Sequence, residues 1–295
     1  HAHLQIPNKL WSILAAFSRV SLCSVTMRRT GRIDAVFLPN LGFFGDLPTD
    51  IPTVLLLHDL SFLIEPRWFS WKQRLWHFAI GARHLIRSAA RLLAVSETTM
   101  RDATRLLGIP AERIRVIPIG STLSAPTCSE NGRGTSARSL LAFGANDPRK
   151  NIATAIESVR RLRMHNEFRD VTLTIVGAVH ELSLPEWIRI VVRPSDRELV
   201  EIYANASVLL YPSWYEGYGL PLHEAASFGI PCIASTAGAL PETAPIGTIF
   251  AHPAKPHEWV EALRIVLMQP PHTPVPPSDS AWTEAARILR EQCRE

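Results

Sequence analysis

Residues 207–224 read Ser207-Val-Leu-Leu-Tyr-Pro-Ser-Trp-Tyr-Glu-Gly-Tyr-Gly-Leu-Pro-Leu-His-Glu224. The first five residues form an apolar run of the kind expected for a buried parallel strand. A glycine-rich turn follows, and Pro221 suits the first position of a helix, which predicts a helix over residues 222–228. A strand, a tight turn and a helix in this order predict one unit of an α/β fold with a parallel sheet.

The same alternation extends outward through the chain. Strands are predicted at residues 35–38, 53–58, 91–95, 114–117, 140–143, 172–176, 190–192, 207–211 and 231–234. Helices are predicted at residues 71–88, 97–107, 152–163, 196–204, 222–228, 258–268 and 282–292. Ser96 and Ser195 are predicted N-caps, and Gly108 a predicted helix end. The fold class is therefore α/β.

A polar segment at residues 121–139, rich in Ser, Thr, Gly and Asn, predicts a linker between two domains. We expect an N-terminal domain over 1–130, a C-terminal domain over 131–280, and a helix over 281–295 that packs back toward the N-terminal domain. Five prolines between residues 269 and 280 favour an extended strap before that helix.

Composition narrows the class of protein. The chain has 295 residues, of which 46% are hydrophobic, and no apolar run reaches the roughly 18 residues of a membrane span. Its four cysteines are far apart and form no C-x-x-C pair, which argues against a zinc site or a disulfide framework. Residues 1–130 contain 15 Lys and Arg residues but only 9 Asp and Glu residues, so the excess of positive charge lies in the N-terminal part of the chain.

Two glutamates flank the glycine-rich turn, Glu216 in the loop and Glu224 inside the following helix. The amides of Gly219 and Leu220 fall at the helix N-terminus, where phosphate binds readily. A carboxylate at Glu224 could accept two hydrogen bonds from a ribose diol, and Glu216 could meet sugar hydroxyls. For either glutamate alone, a structural role is the better interpretation; the whole arrangement favours a nucleotide-sugar site.

A second candidate segment, Gly144-Ala-Asn-Asp-Pro-Arg-Lys-Asn151, follows the strand at 140–143. Arg149, Lys150 and the next helix N-terminus suit a diphosphate. A solvated basic turn is an equally good interpretation of this segment taken alone. His58 ends another strand and could contact a sugar hydroxyl, with a structural histidine as the even alternative.

The segment from Trp68 to Arg91 mixes aromatic residues with Lys72, Arg74 and further arginines. A basic aromatic helix can lie on an anionic membrane surface. The alternative is that the aromatic side chains line the core while the arginines are solvated, and the sequence slightly favours it.

Taken together, these segments resemble glycosyltransferase family 4, a group of retaining enzymes. The matching stretches are Phe143–Asn151, Leu173-Thr-Ile-Val-Gly177, Tyr211–Glu224, Gly229-Ile-Pro-Cys-Ile-Ala-Ser235, Leu240-Pro-Glu242, His58-Asp-Leu60, Val95-Ser-Glu97 and Ile114-Arg-Val-Ile-Pro-Ile-Gly120. The resemblance implies a GT-B fold, with two Rossmann-like domains facing each other across a cleft.

The resemblance also implies roles for residues. Lys150, supported by Arg149 and next to Gly144, would hold the donor diphosphate. Glu224 would bind the ribose and Glu216 the transferred sugar. The amides of Gly219 and Leu220 would bind phosphate or sugar. His58 would contact the donor sugar, and the backbone at Val192 and Arg193 would bind the base.

The implied reaction moves a hexose, with mannose as first candidate, from a GDP- or UDP-linked donor to a polysaccharide or lipid-linked oligosaccharide. The family usually needs no metal, and we expect no cofactor and no nucleic-acid partner. A cytoplasmic location is expected, with association at the inner face of a membrane as a further hypothesis. Two alternatives stay open: a truncated, non-catalytic homologue that binds nucleotide or a protein, and a GT-B sugar-nucleotide epimerase.

The chain departs from the family in two places. No strand with a glycine-rich loop is recognisable before Ala35, so the N-terminal domain is expected to be incomplete. Many members carry Arg directly after the glycine that Gly144 matches, and this chain has Ala145.

Overall fold

A computed structural model describes residues 33–42, 51–121, 123, 138–144, 146–178, 184–268 and 279–293. They divide into two compact units, His1–Ile119 with Ser280–Glu295, and Gly120–Asp279. We call these the N-terminal unit and the C-terminal unit.

The N-terminal unit contains a parallel sheet in the order β1-β2-β3-β4 within its described residues. The strands are β1 (Val36–Leu38), β2 (Thr53–Leu57), β3 (Arg91–Ala94) and β4 (Ile114–Val116). The helices are α1 (Ser61–Ile64), α2 (Trp71–Ala79), α3 (Ala82–Ser88) and α4 (Glu97–Leu107). Leu57 and Leu92 pack with Ile86 and Leu107 in one core, so α3 and α4 cover one face of the sheet.

The C-terminal unit contains a six-stranded parallel sheet in the order β10-β9-β8-β5-β6-β7. The strands are β5 (Ser139–Phe143), β6 (Thr172–Val176), β7 (Ile188–Val191), β8 (Val208–Tyr211), β9 (Cys232–Ser235) and β10 (Ile249–Ala251). The helices are α5 (Ile152–Leu162), α6 (Asp196–Ala204), α7 (Leu220–Ser227), α8 (Leu240–Thr243) and α9 (Pro256–Leu267).

Helices cover both faces of this sheet. Along β5, Leu140 packs in a core with Trp259 of α9, whereas its neighbour Leu141 packs in a second core with Leu222 of α7. Successive strand residues point to opposite faces, so a strand buried on both sides must be apolar throughout. The apolar runs in the sequence therefore mark central strands.

The last described helix, α10 (Asp279–Gln292), belongs to the N-terminal unit. Its residues Ala285 and Ile288 pack with Val54 of β2 and Leu93 of β3. These strand residues face the side of the sheet opposite to the side that α3 and α4 cover. The C-terminal end of the chain thus completes the core of the unit in which the described chain begins.

The structure confirms the two parallel α/β units and most predicted elements, with some corrections. Ser96 caps α4 through a 3.1 Å bond from the Thr99 amide, and Ser195 forms a capping box with Glu198 on α6. The helix predicted over 71–88 is wrong as one element, because Gly81 lies in the left-handed region and separates α2 from α3. Strand β7 begins two residues early at Ile188, and β10, α1 and α8 were not predicted.

The strand order of the C-terminal unit creates a switch point between β5 and β8. The chain runs from β5 outward to β6 and β7, then crosses back to place β8 on the other side of β5. Loops after β5 and β8 therefore leave the same edge of the sheet in opposite directions. Ligands of open α/β sheets bind in the crevice that such loops leave.

Several expectations fall outside the described residues. They concern most of the linker, the proline-rich strap, Ala145, and residues 1–32, where no strand with a glycine-rich loop is expected. Within the described part of the chain, every helix is too short or too polar to cross a bilayer.

Candidate functional site

Two loops meet at the switch point and are held together by backbone and amide bonds. The first ends in the short 3-10 turn Pro148–Lys150 after β5, and the second follows β8. The Trp214 amide donates to the Arg149 carbonyl at 2.7 Å. The side-chain amide of the buried Asn151 donates to the Pro212 carbonyl at 3.0 Å. The side chains between these ties are therefore fixed relative to one another.

Lys150 and Glu216 form an ion pair across the two loops. The Lys150 Nζ lies 2.7 Å from Glu216 Oε1 and 2.9 Å from the Tyr211 hydroxyl. Both charged side chains are mostly enclosed, with 19% and 12% of their surface exposed. An ammonium group has three N–H donors. The described residues supply partners for two of them, so one remains for an anion.

Gly144 explains how the Lys150 side chain reaches this position. Gly144 has φ of 88°, and a Cβ built there would lie 2.2 Å from Lys150 Cγ. A side chain at residue 144 would therefore displace the lysine stem. The glycine predicted as part of the donor segment is required by its conformation and by this close approach.

Tyr211, the last residue of β8, joins the site although the sequence reasoning did not single it out. It is 1% exposed. Its pKa is raised well above the usual value, first by burial and then by the carboxylates of Glu216 and Glu224, with Arg149 opposing. A tyrosine ending an otherwise aliphatic strand was the available signal, because its hydroxyl has to find a partner when buried.

Arg149 is occupied by its own loop. Its guanidinium Nη2 lies 2.7 Å from Asp147 Oδ2, and Asp147 also accepts from the Arg149 amide at 3.0 Å. Burial raises the pKa of Asp147, but the bonds and charge of Arg149 outweigh it and hold the pKa below the usual value. The two cations expected to bind one anion therefore differ in their bonding. Lys150 keeps an N–H donor for a ligand, whereas the Arg149 side chain is bonded to Asp147 within its own turn.

Glu224 lies in the second turn of α7 and is bound by a residue that the sequence did not indicate. The hydroxyl of Tyr203 on α6 donates to Glu224 Oε2 at 2.6 Å. The Tyr203 ring is fully buried and stacks on Phe228 at 5.2 Å. Burial raises the pKa of Glu224, and the Tyr203 bond partly opposes that rise. The carboxylate is therefore oriented, and its second oxygen is left to other partners.

The N-terminus of α7 faces the same edge of the sheet. Pro221 was predicted at the first position of this helix. The helix begins at Leu220, so Pro221 is its second residue. Gly219 precedes it with φ of 98°, and a Cβ there would lie 2.6 Å from a Leu240 methyl carbon. Among the described residues the amides of Gly219 and Leu220 have no hydrogen-bond partner. They are available to an anion.

The loop after β9 contacts the backbone of Glu216. The Ala239 amide donates to the Glu216 carbonyl at 2.9 Å. Gly238 passes so close that a Cβ there would lie 2.6 Å from both the Glu216 nitrogen and oxygen. This support was missed, because a lone glycine in a loop carries no signal of which backbone it must approach.

Two protein-family models match the chain and together account for both units. Residues 3–120 match the glycosyl transferase 4-like domain, and residues 137–269 match the glycosyl transferases group 1 family. The chain belongs to the GT4-type glycosyltransferase family.

Individual proteins resemble this chain to different extents. O-antigen chain mannosyltransferase B of Escherichia coli is 27% identical over 253 residues, covering 79% of this chain and 63% of that protein. The MMP alpha-(1->4)-mannosyltransferase of Mycolicibacterium hassiacum is 31% identical over 193 residues, covering 60% and 44%. The chain thus spans about half to two thirds of the length of these relatives.

The crystal structure of WaaG, a glycosyltransferase involved in lipopolysaccharide biosynthesis, shares the fold. It aligns with a TM-score of 0.62 at 16% identity, covering all of this chain and 80% of WaaG. This places the GT4-type chain among GT-B folds.

The remaining predicted site residues are Val192, Arg193 and His58. Val192 and Arg193 follow β7, and Arg193 has φ of 52°, which is uncommon for a residue with a side chain. His58 lies in the N-terminal unit, exposed, with Nε2 2.9 Å from the Pro39 carbonyl. Their roles toward a donor stay predictions. Within the described ranges, no group of three or more His, Cys, Asp and Glu side chains could hold a metal ion.

Proposed function

We propose that this protein transfers a hexose from a nucleoside-diphosphate sugar to a glycan acceptor, with retention at the anomeric carbon. The observation that carries the proposal is the Lys150 ammonium, held between Tyr211 and Glu216 at the β5–β8 switch point with one donor uncommitted. A fixed, partly desolvated cation suits a leaving group that gains charge in the transition state.

The donor diphosphate is assigned to Lys150 and to the amides of Gly219 and Leu220. A helix N-terminus and an ammonium group supply separate donors to separate phosphate oxygens. Because Arg149 is bound to Asp147, its proposed role is to maintain the shape of the turn and to contribute a positive charge at longer range.

The nucleoside is assigned to Glu224 and to the backbone at Val192 and Arg193. Tyr203 occupies one Glu224 oxygen, which leaves the other to accept from a ribose hydroxyl. Glu216 is assigned to the hexose, and His58 is assigned to the same sugar from the N-terminal unit. No metal or other cofactor takes part in the proposal.

Mannose is the first candidate sugar, because both curated relatives described above are named mannosyltransferases. The donor is GDP- or UDP-linked. The acceptor is a polysaccharide or a lipid-linked oligosaccharide. A cytoplasmic location at the inner face of a membrane belongs to the proposal, and the exposed basic helix α2 is the feature that supports it.

Thermal unfolding with added nucleotide tests the donor site. GDP or UDP should raise the unfolding temperature of the unaltered chain, and Lys150→Ala and Glu224→Ala should each abolish that rise. The matched control is Lys255→Ala, which removes an exposed lysine paired with Glu258 at 2.9 Å. If no nucleotide raises the unfolding temperature, the proposed donor site is wrong.

Turnover with GDP-mannose or UDP-linked hexoses and a glycan acceptor tests the reaction, with the product anomer assigned by NMR. Product with the donor's anomeric configuration supports retention. Nucleotide binding without turnover on any acceptor favours the non-catalytic homologue. Conversion of the donor sugar to its epimer without acceptor favours the epimerase.

A further inference from the structure

Thr243, the last residue of α8, ties that helix to the glycine-rich turn before α7. Its hydroxyl donates to the Tyr218 carbonyl and lies 2.9 Å from the Ala239 carbonyl, which directly precedes α8. A hydroxyl has one proton, so these two carbonyls share it. The Ala239 amide in turn donates to the Glu216 carbonyl at 2.9 Å. The start and the end of α8 therefore hold the turn at two backbone oxygens, those of residues 216 and 218.

The Tyr218 carbonyl matters because of the peptide unit to which it belongs. This carbonyl and the Gly219 N–H lie in one planar unit, and in a trans unit they point in opposite directions. Within the described residues every peptide bond is trans. A carbonyl fixed toward Thr243 therefore fixes the Gly219 N–H in the direction away from Thr243.

Glycines on both sides leave this peptide unit with little restraint of its own. Gly217 precedes Tyr218, and Gly219 follows it with φ of 98°. Glycine rotates over a wide range of backbone angles at little steric cost. The direction of the Gly219 N–H thus depends on a contact from outside the turn, and the Thr243 hydroxyl supplies that contact.

The Tyr218 side chain is held as well. Its ring stacks on the His223 ring of α7, with centroids 5.0 Å apart and 16° between the planes. Burial lowers the pKa of His223, and a hydrogen bond with the Thr243 backbone partly opposes that change. Among the described residues the buried His223 Nε2 has no partner. The His223 ring is therefore an uncharged packing surface near neutral pH, and Tyr218 is held between α7 and α8.

We propose that Thr243 is a positioning residue for the donor diphosphate, which acts by directing the Gly219 N–H at a phosphate oxygen. This role rests on the donor site proposed above, in which the amides of Gly219 and Leu220 bind the diphosphate. The Thr243 hydroxyl is occupied by two carbonyls, so it acts through the peptide unit and not on the ligand. An N–H group that is held in place before the ligand arrives binds more strongly, because less freedom is lost on binding.

Calorimetric titration with GDP and UDP tests this role. Thr243→Val keeps the shape of the side chain and removes the hydroxyl, so the affinity for nucleoside diphosphate should fall about tenfold. Thr243→Ser keeps the hydroxyl and should retain most of the affinity. The matched control is Thr248→Val, which removes a hydroxyl bonded to the Pro245 carbonyl at 2.7 Å and should leave the affinity unchanged.

Two further measurements separate the direction of the N–H from a general packing defect. The affinity for guanosine or uridine should be the same in Thr243→Val and in the unaltered chain, because these nucleosides carry no phosphate. In amide NMR spectra, added GDP or UDP should shift the Gly219 proton downfield in the unaltered chain, and less so in Thr243→Val, since a bond to phosphate is charge-assisted.

Failure of this role and failure of the donor site give different results. Nucleotide binding that is equally tight in Thr243→Val and in the unaltered chain would overturn the role of Thr243 and leave the donor site in place. Equal losses in Thr243→Val and Thr248→Val, or an equal loss for nucleoside and diphosphate, would do the same. If the unaltered chain binds neither GDP nor UDP, the donor site is wrong and the role of Thr243 is wrong with it.

Discussion

Lys150 in the C-terminal unit and Lys72 in the N-terminal unit each have an arginine close by in the sequence and an aromatic ring near the ammonium group. The fold nevertheless places the two lysines in opposite environments. Lys150 is mostly enclosed, bonded to Glu216 and Tyr211, and crosses a glycine that cannot carry a side chain. Lys72 is exposed on a helix whose apolar stripe also faces outward.

The difference shows which kind of anion each cation can serve. A desolvated, immobile ammonium interacts strongly with one small anion at a defined place. An exposed, mobile ammonium contributes little to any single contact, but several of them bind a surface of distributed charge. We therefore expect substitutions around Lys150 to act on donor chemistry and those around Lys72 to act on membrane binding.

The largest effect is expected for Lys150→Ala. Loss of a fixed cation from the leaving diphosphate should reduce kcat/KM for donor turnover by a factor of about 10² to 10³. Lys255→Ala, which breaks an exposed ion pair, should change it little. Steady-state release of nucleoside diphosphate measures both. Equal rates in the two variants would mean that Lys150 has no role in the reaction.

Gly144→Ala should come next. The added Cβ would lie 2.2 Å from Lys150 Cγ, so the lysine must move, and nucleotide affinity should fall about tenfold or more. Gly247→Ala is the matched control, because φ there is 89° and nothing lies within 4 Å. Each change should cost about 1–2 kcal/mol of folding free energy through positive φ. Calorimetric titration with nucleotide measures the affinity of each variant. An equal loss of affinity in both variants would exclude the clash with Lys150 as the cause.

Tyr203→Phe should have a moderate effect with a distinctive pH dependence. Removing a hydrogen bond to a carboxylate should cost about 1.5–3 kcal/mol of folding free energy. Nucleotide affinity should also fall, because Glu224 loses the bond that orients it. Because the Tyr203 bond lowers the pKa of Glu224 and burial raises it, the variant should have a still higher Glu224 pKa. The ionised carboxylate accepts the ribose bonds, so affinity should begin to fall at a higher pH on acidification.

Nucleotide titrations at a series of pH values test this shift. Stacking with Phe228 is retained in the phenylalanine variant, so a packing defect is not expected. An affinity that falls by the same factor at every pH would show that Tyr203 does not act through the ionisation of Glu224.

The smallest effect is expected for Lys72→Gln. One surface lysine contributes about 1 kcal/mol to binding of an anionic membrane, so vesicle partitioning should fall about fivefold. Nucleotide affinity should not change. If nucleotide affinity fell while vesicle binding was kept, the two lysines would have exchanged the roles assigned here.

Much of the C-terminal unit could be predicted from the sequence because its signals are local. The apolar run before Tyr211, the capping box at Ser195 and the glycines around Glu216 each act within a few residues. In the N-terminal unit, the helix expected over 71–88 is interrupted at Gly81, because the sequence does not show whether an isolated glycine inside a helical pattern has a positive φ.

Partners far apart in the chain could not be predicted. Nothing in residues 196–204 indicates that Tyr203 reaches Glu224, because a tyrosine on an apolar helix face is usually a core residue. In the same way, the neighbouring cations Arg149 and Lys150 are indistinguishable in sequence until Asp147 is seen to bind only the first.

Residues close together in the sequence are enough to predict the α/β alternation, the glycine turns and the chemical groups that the loops present, because strand burial and helix caps depend on neighbouring residues. Two features could be seen only in the folded chain: β8 lies beside β5 and brings Glu216 to Lys150, and Trp71, Leu75 and Phe78 of α2 face solvent. Both depend on which surfaces meet, and that is settled by the packing of elements many residues apart.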